Sequence, residues 1–157
     1  MADAATPEET FFAFFTEIGI LAQLSRALFE ARLPDGFTVS QFIVLNHLIR
    51  VKDGRTPLEL ARAFQVPKTS LTHSLAVLER NGLIRLAPNP GDGRSKLVWL
   101  TEAGRTFRRE TIADLMPDMA ALAARFPATR IADALPALTD LRQLMDRLRE
   151  ATDATDA

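Results

Sequence analysis

Residues 56–84, TPLELARAFQVPKTSLTHSLAVLERNGLI, run into RLAPNPGDGRSKLVWL at 85–100, and this stretch decides the fold. Thr56 is placed to cap a helix, Pro57 suits the first helical position, and Glu59 completes a capping box three residues after the cap. Leu60, Ala61 and Phe64 form the apolar face of that helix. After a turn at Gln65 and Val66, Pro67 can open a second helix, in which Leu71, Leu75 and Leu78 recur at helical spacing and must face a core. Gly82 then supplies a left-handed stop. Ile84 and Leu86 alternate with Arg85 and Ala87, and Leu97 to Leu100 form a second apolar run, so two short strands are expected around a loop at Pro88–Lys96. Thr101 follows as the cap of a further helix. Two short helices followed by a small hairpin are the order of a winged helix-turn-helix.

If Leu71, Leu75 and Leu78 face inward, the opposite side of the second helix is exposed. That side carries Lys68, Thr69, Ser70, Thr72 and His73: short hydroxyls that permit close approach of a backbone, and longer donors that reach phosphates or base edges. In the loop, Arg94 and Lys96 put positive charge where a phosphate backbone or minor groove can meet it. These seven residues are the candidate DNA contacts, with Arg94 the foremost single one and Asp92 expected to orient it or the turn. Each alone also fits a solvated surface residue, and Thr69 or Thr72 could serve helix geometry. Their joint placement favours function.

The chain resembles the MarR-type (multiple antibiotic resistance regulator) family of transcriptional regulators. The resemblance lies in Ser40-Gln41-Phe42-Ile43-Val44-Leu45, Thr56-Pro57-Leu58-Glu59-Leu60-Ala61, Leu78-Glu79-Arg80-Asn81-Gly82-Leu83-Ile84, Asp92-Gly93-Arg94 and Leu100-Thr101-Glu102-Ala103-Gly104. It implies an obligate homodimer on a pseudo-palindromic operator. Two departures stand out. His73 occupies a position where the family often has arginine, and Gly93 replaces the first arginine of the common Asp-Arg-Arg wing.

Charge agrees when counted by region. The whole chain has 19 basic and 20 acidic residues. Residues 38–110, however, hold 12 basic and 6 acidic residues, net +6, between segments of net −4 (1–37) and −3 (111–157). Only the central segment suits DNA, and the near-neutral total argues against indiscriminate coating of nucleic acid. Phe11, Phe14, Phe15, Ile18, Leu21, Leu24 and Leu28 form one broad apolar stripe, and Ile131, Leu135, Leu138, Leu141, Met145 and Leu148 another. Both are read as surfaces shared between an intramolecular core and a second copy of the chain. The expected fold is therefore mainly α with a small two-stranded β-wing. An N-terminal dimerisation helix at 1–37, a DNA-binding winged helix-turn-helix at 38–101 and C-terminal dimerisation helices at 102–157 would form one compact body. Met116-Pro117 and Phe126-Pro127 predict a kink or break before the last helix, and the final ATDATDA reads as a frayed tail.

A small aromatic or phenolic effector fits the sensing that the resemblance implies, with Phe15, Phe42, His47 and Arg50 as candidate contacts; phenylalanines at this spacing more often belong to a core. Without cysteine there is no thiol nucleophile, thiolate zinc site or cysteine redox switch, and His47 and His73 lack metal-ligand spacing. No enzyme, cofactor or metal is expected. The N-terminus lacks a signal core and no segment reads as long enough to span a bilayer, so a cytoplasmic protein without membrane contact is expected. The reading that results is a ligand-responsive repressor binding DNA as a homodimer. The alternative is a winged-helix module that works through protein contacts without DNA.

Overall fold

The structure, a computed structural model, describes residues 5–155. The elements are α1 (Pro7–Glu30), α2 (Val39–Arg50), α3 (Pro57–Phe64), α4 (Lys68–Arg80), β1 (Ile84–Asn89), β2 (Asp92–Leu100), α5 (Glu102–Ala123) and α6 (Ala128–Thr155). They fall into two compact units, one up to Leu115 and one from Met116.

The core of the first unit is built by the helix-turn-helix and the base of the hairpin. Val44, Leu45 and Leu48 of α2 meet Leu60 and Ala61 of α3, Leu71, Leu75 and Leu78 of α4, and Leu83, Ile84, Val98 and Leu100 beyond it. Full burial of each large side chain stabilises by roughly 1.5–3 kcal/mol, so the face of α4 that carries three of these leucines cannot turn outward without losing several such increments. Local signals set the helix ends. Thr56 and Glu59 form the expected capping box, and Thr6 with Glu9 and Thr38 with Gln41 form two more at the starts of α1 and α2. Gly82 adopts φ +68°, the left-handed stop after α4, whereas α3 ends on Gln65 at φ +52°.

The hairpin departs from the expected outline. β1 and β2 pair antiparallel from Ile84↔Leu100 to Pro88↔Lys96 and resume at Asn89↔Asp92. The turn is therefore only Pro90-Gly91, and Arg94 and Lys96 lie on a strand along the flank of the hairpin, not in a long loop at its tip. Polar side chains close the gap: Asn89 Nδ2 donates to Ser95 Oγ at 2.8 Å, Asn89 Oδ1 accepts from Gly91 N–H at 3.0 Å, and Asp92 Oδ1 accepts from Arg94 N–H at 3.0 Å. Gly93, Arg94 and Ser95 form a bulge between the two registers. A single bridge, Arg55↔Val98, adds the chain before α3 to the outer edge of β2.

One further expectation holds and two are corrected. α5 runs through Pro117 to Ala123, and the break before the last helix falls at 124–127, where Phe126-Pro127 precedes the start of α6. The expected frayed tail is helical through Thr155, and its last two residues lie outside the described ones. α1 is long and apolar enough, by length and composition alone, to cross a membrane; scattered polar residues such as Thr16, Glu17 and Gln23 hid this from a search for an uninterrupted run.

No α1 residue is buried in the single chain. Phe11, Phe15, Leu21 and Leu24 stand exposed on it. In the second unit, Ile131, Leu135, Met145 and Leu148 of α6 are likewise exposed.

Candidate nucleic-acid interface

α4 presents two opposite faces. Leu71, Leu75 and Leu78 are at most 4% exposed, while Lys68, Thr69, Ser70, Thr72, His73 and Ala76 are all exposed. The five α4 residues singled out from sequence thus share one solvent-facing surface. Pro67 occupies the N-cap and offers no side-chain cap, so the first-turn N–H groups have no local acceptor from it and face outward with the positive end of the helix dipole. Thr72 Oγ1 donates to the Lys68 carbonyl at 2.8 Å, which fixes its rotamer. Arg94 and Lys96 are exposed on β2, and the Asp92 carboxylate holds the Arg94 backbone.

Contacts that sequence reasoning missed fasten these parts together. Asp53 Oδ1 accepts from Leu100 N–H at 2.9 Å and from its neighbour Gly54 N–H at 3.0 Å, while Oδ2 pairs with Arg105 at 3.6 Å. One carboxylate therefore joins the loop before α3, the end of β2 and the first turn of α5. Gly54, at φ +69°, lies against the Trp99 ring, where a β-carbon would come within 2.6 Å of it. Arg85, opposite Trp99 in the ladder, sits 5.5 Å from the ring centroid. The Asp53-Gly54 pair is a turn signal in its own right, but its partners lie more than 40 residues away.

The end of α4 is joined to α5 with equal closeness. Thr101 Oγ1 donates to the Gly82 carbonyl at 2.6 Å and accepts from Gly104 N–H at 3.1 Å, and Thr101 N–H donates to the Leu83 carbonyl at 3.2 Å. Gly104 is buried; a β-carbon there would overlap the Leu83 carbonyl oxygen and lie 2.8 Å from Leu100 Cδ1. Any displacement of the start of α5 is thus passed to the end of α4 through backbone contacts.

The four candidate effector residues are not gathered by their contacts. Phe15 stacks with Phe11 and meets Phe14 edge-on along α1, with Phe15 itself exposed. Phe42 is buried and packs on Phe29 at 5.7 Å. His47 is half-buried, edge-on to Phe64 at 5.0 Å, and Arg50 is exposed. Burial first, and the Arg55 charge second, hold the His47 imidazole below the usual histidine range. Arg55 in turn pairs with Glu59 at 2.8 Å, and the Thr56 backbone N–H, more than Arg55, holds the Glu59 carboxyl below its ordinary value. Among the described residues no group of three or more His, Asp or Glu side chains is placed to hold a metal ion.

Comparison with known proteins points one way. Residues 35–95, from before α2 through the hairpin bulge, match the MarR family model. The transcriptional activatory protein BadR of Rhodopseudomonas palustris is 33% identical over 97 residues, 60% of this chain and 54% of BadR. The transcriptional regulator HosA of Escherichia coli O111:H- is 34% identical over 90 residues, 57% of this chain and 65% of HosA. These matches span between about half and two thirds of the relatives' lengths. Wild-type apo MarR of E. coli superposes with a TM-score of 0.69 at 27% identity, covering 80% of this chain and 94% of that one. The matched segment is the one that builds the two-faced α4 and its hairpin, and the superposition with MarR of E. coli extends the likeness in fold to most of both chains.

Proposed function

We propose that the chain is a DNA-binding transcriptional regulator that acts as a homodimer, laying α4 in the major groove and the Arg94–Lys96 flank of the hairpin along the adjacent backbone. The observation that carries this reading is the division of α4, whose leucine face is locked into the core while every candidate DNA contact on it is free. A helix held rigidly from behind, with Lys68 at its open N-terminus, is what groove reading requires. The surplus of basic residues is confined to the segment that contains it.

Dimerisation follows from the apolar side chains left uncovered on α1 and α6. One recognition helix reads only a few base pairs, and two of them a DNA turn apart supply the missing discrimination. The cover for α1 is a second copy, not lipid: Glu17 sits mid-helix, and Arg26 pairs with Glu30 at 3.0 Å on its surface. The protein is accordingly read as cytoplasmic.

A small aromatic or phenolic effector acts, in this reading, by changing the spacing of the two recognition helices, with the Thr101–Gly104 junction as the transmitting contact. Phe15 and Arg50 are exposed to such a ligand, whereas Phe42 and His47 are engaged by Phe29 and Phe64. The sign of regulation depends on where the operator lies: occupancy over a promoter represses, and the name of BadR marks an activator. Hydroxyl-radical footprinting on a duplex selected from a random pool tests the reading. Two protected half-sites about 10–10.5 bp apart, or a multiple of that, with two chains per duplex, are expected; a single patch covered by one chain excludes the dimer, and no protected duplex leaves the protein-interaction alternative in its place.

A further inference from the structure

We propose that α4 selects thymine through a stripe of methyl groups, Thr69, Thr72 and Ala76, with Thr72 as the specificity-determining residue. This deepens the DNA-binding reading above and rests on it.

Three observations carry the proposal. The three residues are exposed and spaced i, i+3, i+7, so they line one exposed side of the helix. The strongest guanine contact, a bidentate arginine, has no residue to make it in the part of the helix that meets base edges, since the lone arginine of α4 is Arg80 in its last turn. Finally, Thr72 has given its only hydroxyl proton to the Lys68 carbonyl at 2.8 Å. The side chain is therefore held in one rotamer and offers an acceptor oxygen and a methyl group, but no donor. An A·T pair presents the complement in the major groove, the thymine C5-methyl and the adenine N6 amino donor. A G·C pair supplies an amino donor without the methyl.

The test replaces thymine by deoxyuridine, which deletes that methyl group and nothing else, in the best duplex from a random-pool selection, one symmetric pair of positions at a time. Removing a buried methyl weakens binding by roughly fourfold, so a symmetric pair costs wild type about tenfold or more. Thr72→Ser keeps the hydroxyl and its intrahelical bond while dropping the side-chain methyl. It should bind the thymine duplex as weakly as wild type binds the uridine duplex, and should be indifferent to the exchange. Thermal melting of the variant confirms that the fold is retained.

Wild type indifferent to uridine at every thymine overturns the proposal, as does a Thr72→Ser variant with the full thymine dependence, or a loss of affinity on 7-deazaguanine substitution alone. Specific, salt-sensitive binding without methyl dependence removes only this inference. Failure to bind any specific duplex removes the DNA reading beneath it as well.

Discussion

Replacing Gly104 by alanine in the first turns of α5 should destabilise the protein, against the usual sign of that substitution in a helix. On an open helix, alanine is favoured over glycine by about 1 kcal/mol. Here the new β-carbon overlaps the Leu83 carbonyl oxygen and lies 2.8 Å from Leu100 Cδ1. Leu83 precedes a buried strand and cannot yield, so α5 must retreat by about 1 Å to restore van der Waals distance. That retreat strains the Thr101 hydroxyl bond to Gly82 and the Thr101 N–H bond to Leu83, each with a net worth of about 1 kcal/mol. Overpacking adds roughly 1–3 kcal/mol. After subtracting the propensity gain, the net loss is on the order of 2–4 kcal/mol, or roughly 5–15 °C in melting temperature for a chain of this size.

Differential scanning calorimetry at fixed protein concentration measures this shift. Gly19→Ala is the internal control, because no atom lies within 4 Å of its added β-carbon, and it should be neutral or slightly stabilising. Because Thr101 and Gly104 join α5 to the end of the recognition helix, Gly104→Ala should also weaken operator binding well below the melting transition. A Gly104→Ala protein as stable as wild type would refute the reasoning about the junction.

Other outcomes follow from the same structure. Gly93→Arg should raise operator affinity and steepen its salt dependence by about one per added phosphate contact, since Gly93 has open space at its β-position and no positive φ; isotherms at three salt concentrations would show it. Glutamates at both Leu135 and Leu148 should shift the protein to monomer in sedimentation velocity and abolish tight operator binding, because they charge the exposed α6 stripe. For His47 the folded pKa lies below the ordinary 6.5, so the unfolded chain takes up the proton more readily. Its contribution to stability is complete above about pH 6.5 and falls as pH drops from there toward the lowered folded value; urea midpoints at pH 7.5 and 5.5 should diverge in wild type and converge in His47→Gln.

What sequence made legible was local. The Thr56 capping box, the leucine face of α4 and the Gly82 stop are each set within a few residues, by periodicity and end chemistry, and tertiary packing had no cause to override them. The hairpin was harder. Apolar alternation ends at Ala87, and the extension of pairing to Asn89↔Asp92 depends on side-chain hydrogen bonds of Asn89, Asp92 and Ser95 that no hydrophobic pattern encodes. Asp53 was invisible for a different reason: its partners Leu100 and Arg105 are brought to it only by the completed fold. Phe42 and His47 illustrate the ambiguity of aromatic spacing, because two of the residues expected to meet at an effector site are taken up separately by the Phe29 and Phe64 contacts.

The DNA reading stands or falls most directly on a salt titration of the purified protein with duplex from around its own gene, with wild type beside Arg94→Ala and a Lys68→Ala/Thr72→Ala double variant. Binding that weakens linearly in log–log form as salt rises is expected, and Arg94→Ala should lower the slope by about two, one phosphate contact from each half of a dimer. The double variant should bind more weakly still, through lost groove contacts. Affinity independent of salt, or variants indistinguishable from wild type, would contradict a nucleic-acid interface built from α4 and the hairpin.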